Sequence, residues 1–323
     1  MAEKLGAVLQ KQIDESVTHT SVHSLKENIM NSVKAEIADL VTRYCEVNNV
    51  YCLFAVERSS RVWGYSNQNS DYDVMFVYIR PVDDYLSIHS RSDTLCHKGG
   101  LKKDLLDTDY KEFTLTGWDL KKFLSLMLKS NPTTLELLSI LYAQKEFVYY
   151  DVYKSTSTSF LYPCFEQGLN FNRYTLANSY YSTYINHISR YKIAKLSNDV
   201  KKQMKHLIAA CMNLNLAEIY ITDPLTRNYF MNYTSSQLEK YMMSLSSHKD
   251  YYRLIDNLRK GDICDNTLLD ALYLKLTYPP FTEDFNDKLS NLKFADDVLY
   301  LVDNRNEVLD NVFRNVVKGT INE

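Results

Sequence analysis

Apolar residues recur at helical spacing through Leu25, Ile29, Val33, Ile37, Leu40 and Tyr44. That spacing predicts an amphipathic helix with one buried face. Ser24, followed three residues later by Glu27, forms a capping box at its start, and Asn48-Asn49 marks its end. The pattern then changes. Residues 51–56 are a short unbroken apolar run, as in a strand covered on both faces. Residues 58–70, rich in Ser, Asn and Gly, read as a turn region. A second strand runs over 72–79, with β-branched and aromatic content, and Arg80-Pro81 stops it. Residues 82–108 read as a helix plus a loop, and 110–115 as a third strand. Gly117 leads into an amphipathic helix over 120–129. Asn131-Pro132 is a cap with proline at the first helical position, and 147–150 is a further strand.

From about residue 160 the periodicity is helical almost throughout, over 174–190, 201–220, 235–243 and 268–276. The boundary is expected between 151 and 160, in the run from Tyr153 to Ser159. This gives an N-terminal arm over 1–22, an α+β unit with a small mixed sheet over 23–155, and an all-helical unit over 156–323. A length of 323 residues accommodates two such units, each with its own core. The low counts of Gly (8) and Pro (6) fit a helix-rich body without long flexible linkers.

The net charge of −3 rules out a chain that holds nucleic acid by bulk charge, so any phosphate-binding surface is a local patch. Six cysteines without a C-x-x-C pair give no zinc framework. The first residues lack the apolar segment of a secretory signal, and no run is long enough to span a bilayer. The expectation is an intracellular, cytoplasmic protein with reduced thiols and no membrane partner.

The chemistry concentrates between Glu57 and Val74. A buried strand ends in a serine turn, Ser59-Ser60, and after about ten residues a second strand opens with Asp71-Tyr72-Asp73. Side chains alternate along a strand, so Asp71 and Asp73 share a face. Two carboxylates in one site repel unless a cation sits between them. Their oxygens suit Mg²⁺, with Mn²⁺ as the alternative, and Mg²⁺ also binds substrate phosphates. The turn supplies amides and hydroxyls fit to hold a triphosphate. A D-x-D pair alone is a weak signal; its place after a strand and a serine turn strengthens it.

The stretch resembles the nucleotidyltransferase superfamily of DNA polymerase beta, and looks closest to its RNA-repair-associated bacterial and phage branch. The matching residues are Glu57, Ser60, Arg61, Trp63, Gly64, Ser70, Asp71, Tyr72, Asp73, Val74 and Tyr78. A second matching segment comprises Gly117, Trp118, Asp119, Leu120, Lys129, Ser130, Asn131, Pro132, Leu135 and Glu136. The resemblance implies the polymerase-beta-type nucleotidyltransferase fold. It implies transfer of a nucleoside monophosphate from an NTP to a hydroxyl, with an RNA end as acceptor. Two departures stand out. Ser59 occupies the position of the family's glycine, and Thr114 occupies that of the third metal-binding acid. Glu112, two residues earlier on the same strand face, is the candidate replacement. A relative that binds nucleotide or RNA without turnover, and one that modifies proteins, are the alternatives.

Other candidates have two readings each. Arg61 either holds a phosphate or pairs with Glu57. Trp63 either stacks on a base or packs the turn onto the sheet. Arg190, Lys192, Lys195, Lys201, Lys202 and Lys205 stand against one acid, Asp199, and form the best basic patch. Lys202 and His206, one helical turn apart, are nucleotide-binding candidates within it. Tyr174, Tyr180, Tyr181 and Tyr184 are either core or a stacking platform. His89 and His97 read as surface residues, not metal ligands.

Overall fold

A five-stranded sheet with an apolar layer on each face organises the described residues. The computed structural model describes residues 33–66, 70–89, 91–97, 113–143, 145–152, 171–222, 248–260, 262, 264–299 and 305–319. The strands are β1 (Tyr51–Glu57), β2 (Tyr72–Ile79), β3 (Thr94–His97), β4 (Phe113–Asp119) and β5 (Val148–Asp151). They lie in the order β3-β4-β2-β1-β5. β2 and β4 are parallel, and the other pairs are antiparallel. The fold is α+β, with a mixed sheet and flanking helices.

The sequence periodicity places β1 and β2 to within a residue. β3 was not anticipated: four residues containing Cys and His give no alternation to read. β4 also runs on to Asp119, past its expected end at 115. With β2 and β3 paired to it on either side, Gly117 and Trp118 continue the ladder instead of leading into the helix. Residues 110–112 lie outside the described residues, as do the 24–27 capping box, the expected helix over 235–243 and most of the 151–160 boundary.

Alternation along β2 divides the core. Val74, Phe76 and Tyr78 point to the layer formed by helix α1 (33–47), against Ile37, Leu40, Val41 and Tyr44. Met75, Val77 and Ile79 point the other way, onto α3 (Leu120–Leu128) and α4 (Pro132–Ala143). The short helix α2 (Val82–Leu86) follows β2. Asn131 caps α4 as expected, its Oδ1 accepting the Thr133 amide at 2.9 Å.

The second apolar layer continues into α5 (Arg173–Leu196) and α6 (Val200–Thr222), which pack along each other. Arg173 locks the far end of that pair. Its buried guanidinium donates to the Tyr220 carbonyl at 3.0 Å and to the Ile221 carbonyl at 2.9 Å, satisfying acceptors that a helix end leaves open. Helices α7 (His248–Lys260), α8 (Asn266–Leu276), α9 (Pro279–Leu299) and α10 (Arg305–Gly319) complete the described chain. Phe313 of α10 reaches back to Tyr85, edge to face at 5.3 Å. Among the described residues no helix is long and apolar enough to cross a membrane.

Gly117 shows how tightly the α1 side is packed. A Cβ there would lie 2.2 Å from the ring tip of Phe76, which is fully buried. A rigid aromatic ring cannot swing aside as a flexible side chain would. Gly117→Ala is therefore expected to destabilise the protein by about 1–3 kcal/mol, read as a lower urea midpoint. An unchanged midpoint would contradict this packing.

Candidate functional site: the turn between β1 and β2

The site is built where β1 ends and β2 begins. Ser59 has φ +66°, the left-handed conformation that glycine adopts freely and serine adopts at a cost. The glycine-type turn is thus kept without the glycine. What holds it is a side-chain bond: Ser59 Oγ donates to Asp73 Oδ2 at 2.6 Å. The chain then makes one helical turn. The Trp63 amide bonds the Ser59 carbonyl at 3.1 Å, and the amides of Tyr65 and Ser66 bond the Ser60 carbonyl. The first amides of such a turn, those of Ser60, Arg61 and Val62, have no acceptor within it.

Asp73 is the second residue of β2 and is half-buried; Asp71 stands just before the strand and is exposed. Among the described residues no cationic side chain pairs with either carboxylate. Across the parallel ladder Asp73 faces Thr114, so the position of the expected third acid carries a hydroxyl. Glu112 lies outside the described residues. A carboxylate without a cationic partner suits a divalent ion, which commonly takes one or two protein carboxylates and completes its shell with water and phosphate.

Glu57, at the end of β1, is the partner the sequence reading missed. It has no exposed surface. Its carboxylate accepts the Asp73 amide at 2.9 Å, and on its other oxygen the Tyr149 hydroxyl. The Arg58 amide in turn bonds the Asp73 carbonyl at 2.7 Å.

Beside the turn lies a cavity of about 480 Å³. Arg58, Ser59 and Trp63 form one wall. Asn131, Thr133 and Glu136 of the α4 start form another, and Tyr180, His187 and Asn213 of α5 and α6 close it. The Arg58 guanidinium spans the floor, 3.3 Å from Thr133 Oγ1 and 3.8 Å from Glu136 Oε2. Tyr180 donates to the other Glu136 oxygen at 3.4 Å. Burial pushes the Glu136 carboxyl up, and the Arg58 charge opposes that.

A turn of this form, followed by paired carboxylates, agrees with a comparison of sequences. The model of the RNA repair pathway DNA polymerase beta family matches residues 32–207, more than half of the chain. The chain belongs to that family. It is also 37% identical over 121 residues to the uncharacterized protein YcgL of Bacillus subtilis (strain 168). That match takes in 38% of this chain and 41% of the relative, so it spans about two fifths of that protein's length. A nucleotidyltransferase-like protein from Exiguobacterium sibiricum 255-15, known from a crystal structure, aligns over 78% of this chain and 80% of its own. The identity is 12% and the TM-score 0.24.

Within this family member, the sequence candidates sort by position. Ser59 and Asp73 are hydrogen-bonded to each other, Ser60 follows in the same turn, and Asp71 stands exposed just before β2. Arg61 does not make the expected pair with Glu57. Its guanidinium donates to the Ser70 carbonyl at 2.5 Å and the Asp71 carbonyl at 3.4 Å, and lies 3.7 Å from the Tyr72 ring centroid. Trp63 packs against the core and also lines the cavity.

Lys202 and His206, one helical turn apart, take different hydrogen-bonding partners. Asp199 accepts the Lys202 amide at the start of α6 and holds its Nζ at 2.8 Å. His206 turns inward, its Nδ1 3.3 Å from that of His187. Burial lowers both rings, His187 to about 4 with help from the His206 and Arg190 charges. Neither Lys202 nor His206 is among the described residues lining the cavity. Tyr180 and Tyr184 are core residues. Tyr181 stacks on Phe285 with centroids 4.4 Å apart, and Tyr174 sits near Lys293. His89 is exposed, and His97 packs near Tyr44; neither belongs to a group of three or more metal-ligating side chains among the described residues.

Burial pushes the Glu57 carboxyl from an ordinary 4.5 up to about 7, although the Tyr149 and Asp73 hydrogen bonds and the Arg61 charge favour its ionised form. The folded chain therefore holds this proton more tightly than the unfolded chain does. Stability present below pH 4.5 falls as pH rises from there through 7, by up to about 3 kcal/mol. Glu57→Gln should remove that part of the pH dependence. Urea denaturation at pH 5 and pH 7.5 checks it, and an identical pH slope in the variant would count against a strongly perturbed Glu57.

Proposed function

We propose that the protein is a divalent-metal-dependent nucleotidyltransferase that moves a nucleoside monophosphate from an NTP to a hydroxyl, with an RNA end as acceptor. The observation that carries the reading is the Ser59–Asp73 hydrogen bond. It puts a left-handed, amide-bearing turn directly beside the Asp73 carboxylate, with a cavity of nucleoside size next to it. Membership of the RNA repair pathway DNA polymerase beta family supports the same chemistry and favours RNA as acceptor.

In this reading Asp71 and Asp73 hold Mg²⁺ or Mn²⁺, with Glu112 as the third ligand. When bound, the ion supplies charge neutralisation on the phosphates and lowers the pKa of the attacking hydroxyl. The protein does the positioning. The amides of Ser60, Arg61 and Val62, with the hydroxyls of Ser59 and Ser60, grip the triphosphate. The nucleoside enters the cavity, where Arg58, Asn131, Thr133 and Asn213 offer polar contacts and Trp63 offers ring surface. The acceptor oxygen forms a bond to the α-phosphorus, the α–β bridging bond breaks, and pyrophosphate leaves in line. The hydroxyl proton passes to water or to a nearby carboxylate. The basic segment containing Lys202 is a candidate track for the acceptor's phosphates.

One observation favours a second reading, nucleotide binding without turnover: Thr114 faces Asp73 where the family pattern has an acid. Pyrophosphate release separates the two. With Mg²⁺ or Mn²⁺, an NTP and RNA ends, the intact chain should release pyrophosphate. Asp71→Asn and Asp73→Asn should each slow it by at least about a hundredfold, the scale of lost metal assistance. Nucleotide binding without metal-dependent release, across RNA and other hydroxyl acceptors, would establish the second reading instead.

A further inference from the structure

The matched family segment ends at residue 207, yet the proposed phosphate turn is held by a residue far beyond it. Arg259, near the end of α7, donates from Nε to the Gly64 carbonyl at 2.5 Å, across 195 residues of sequence. The guanidinium sits close to Gly64: a Cβ at that glycine would lie 3.0 Å from Arg259 Nη2. Gly64 has φ +74° and closes the turn, its amide bonding the Arg61 carbonyl at 3.2 Å. α7 is anchored for this task. Leu254 and Ile255 are buried in the main core, and Arg259 lies one helical turn beyond Ile255. Among the described residues no carboxylate pairs with Arg259.

Internal hydrogen bonds and the buried Val62 side chain hold the body of the turn, and its ends are tied separately. Ser59 ties its near end to Asp73, and Arg61 spends its guanidinium on the carbonyls entering β2. Gly64, the most permissive residue in the turn, has no side chain with which to hold itself. The residue after it, Tyr65, lies close enough to Asp73, Arg58 and Glu136 for their charges to act on its hydroxyl. A shift at Gly64 is therefore a shift beside the carboxylates.

We infer that Arg259 is a positioning residue for polyphosphate binding, acting through the Gly64 carbonyl to fix the Ser60, Arg61 and Val62 amides. The helices beyond residue 207 are thereby part of the nucleotide site. This inference rests on the nucleotidyltransferase reading above.

The test uses the full chain and titration calorimetry with Mg²⁺. Each of the four NTPs is titrated, and the tightest is compared with its own monophosphate. Arg259→Ala should weaken the triphosphate about tenfold, the loss of roughly one charge-assisted hydrogen bond. Binding of the monophosphate should stay within about twofold and the melting temperature within about 2 °C. Arg259→Lys, which keeps a donor of similar reach, should recover part of the loss. Equal weakening of triphosphate and monophosphate would overturn the inference, because general loosening of the fold moves both. Unchanged triphosphate affinity in Arg259→Ala would overturn it alone, leaving the nucleotidyltransferase reading intact. No NTP binding by the intact chain would overturn both.

Discussion

Asp73 is held from two sides. Its carboxylate accepts the Ser59 hydroxyl at 2.6 Å, and its amide donates to the buried Glu57 carboxylate at 2.9 Å. Glu57 belongs to β1, Ser59 to the turn and Asp73 to β2. One residue thus fixes the end of one strand, the shape of the turn and the start of the next strand. The arrangement has a cost. It needs a carboxylate with no exposure to water and a serine in left-handed backbone conformation, each disfavoured alone. Both persist because the hydrogen bonds that close the turn also satisfy the groups under strain.

The rest of the fold keeps that arrangement rigid. β2 sits at the centre of the sheet and is buried on both faces, so Asp73 is anchored by an apolar strand that cannot slip register without exposing its core. Arg58 and Glu136 then connect the turn to α4, and Tyr180 extends the connection to α5. The cavity lies between the turn, the start of α4 and the helices α5 and α6. Its walls therefore come from residues as far apart as Arg58 and Asn213.

Much of this was legible in the sequence, for identifiable reasons. β1 and β2 are continuous apolar runs bounded by turn residues, and Asp73 stands at the opening of β2 as its spacing predicts. Ser59 was visible as a serine in a glycine's place, and its φ of +66° shows the backbone demand to be unchanged. The contacts that proved hardest to read involve backbone carbonyls or distant residues. Nothing in the sequence marks the Ser70 and Asp71 carbonyls as partners for Arg61, or the Gly64 carbonyl as the partner of Arg259. Tyr149 reaches Glu57 across 92 residues, through an irregular register between β1 and β5. β3 was missed because a four-residue edge strand has too few positions to show a period.

The central claim is that the Ser59 turn and the two aspartates form one metal-nucleotide site. The most direct test is a crystal structure of the chain with Mn²⁺ and a non-hydrolysable NTP analogue, using the anomalous signal to locate the metal. The account predicts a peak about 2.1 Å from carboxylate oxygens of both Asp71 and Asp73, with nucleotide phosphates on the Ser60, Arg61 and Val62 amides. A nucleotide bound elsewhere, or a metal without contact to either aspartate, would contradict it.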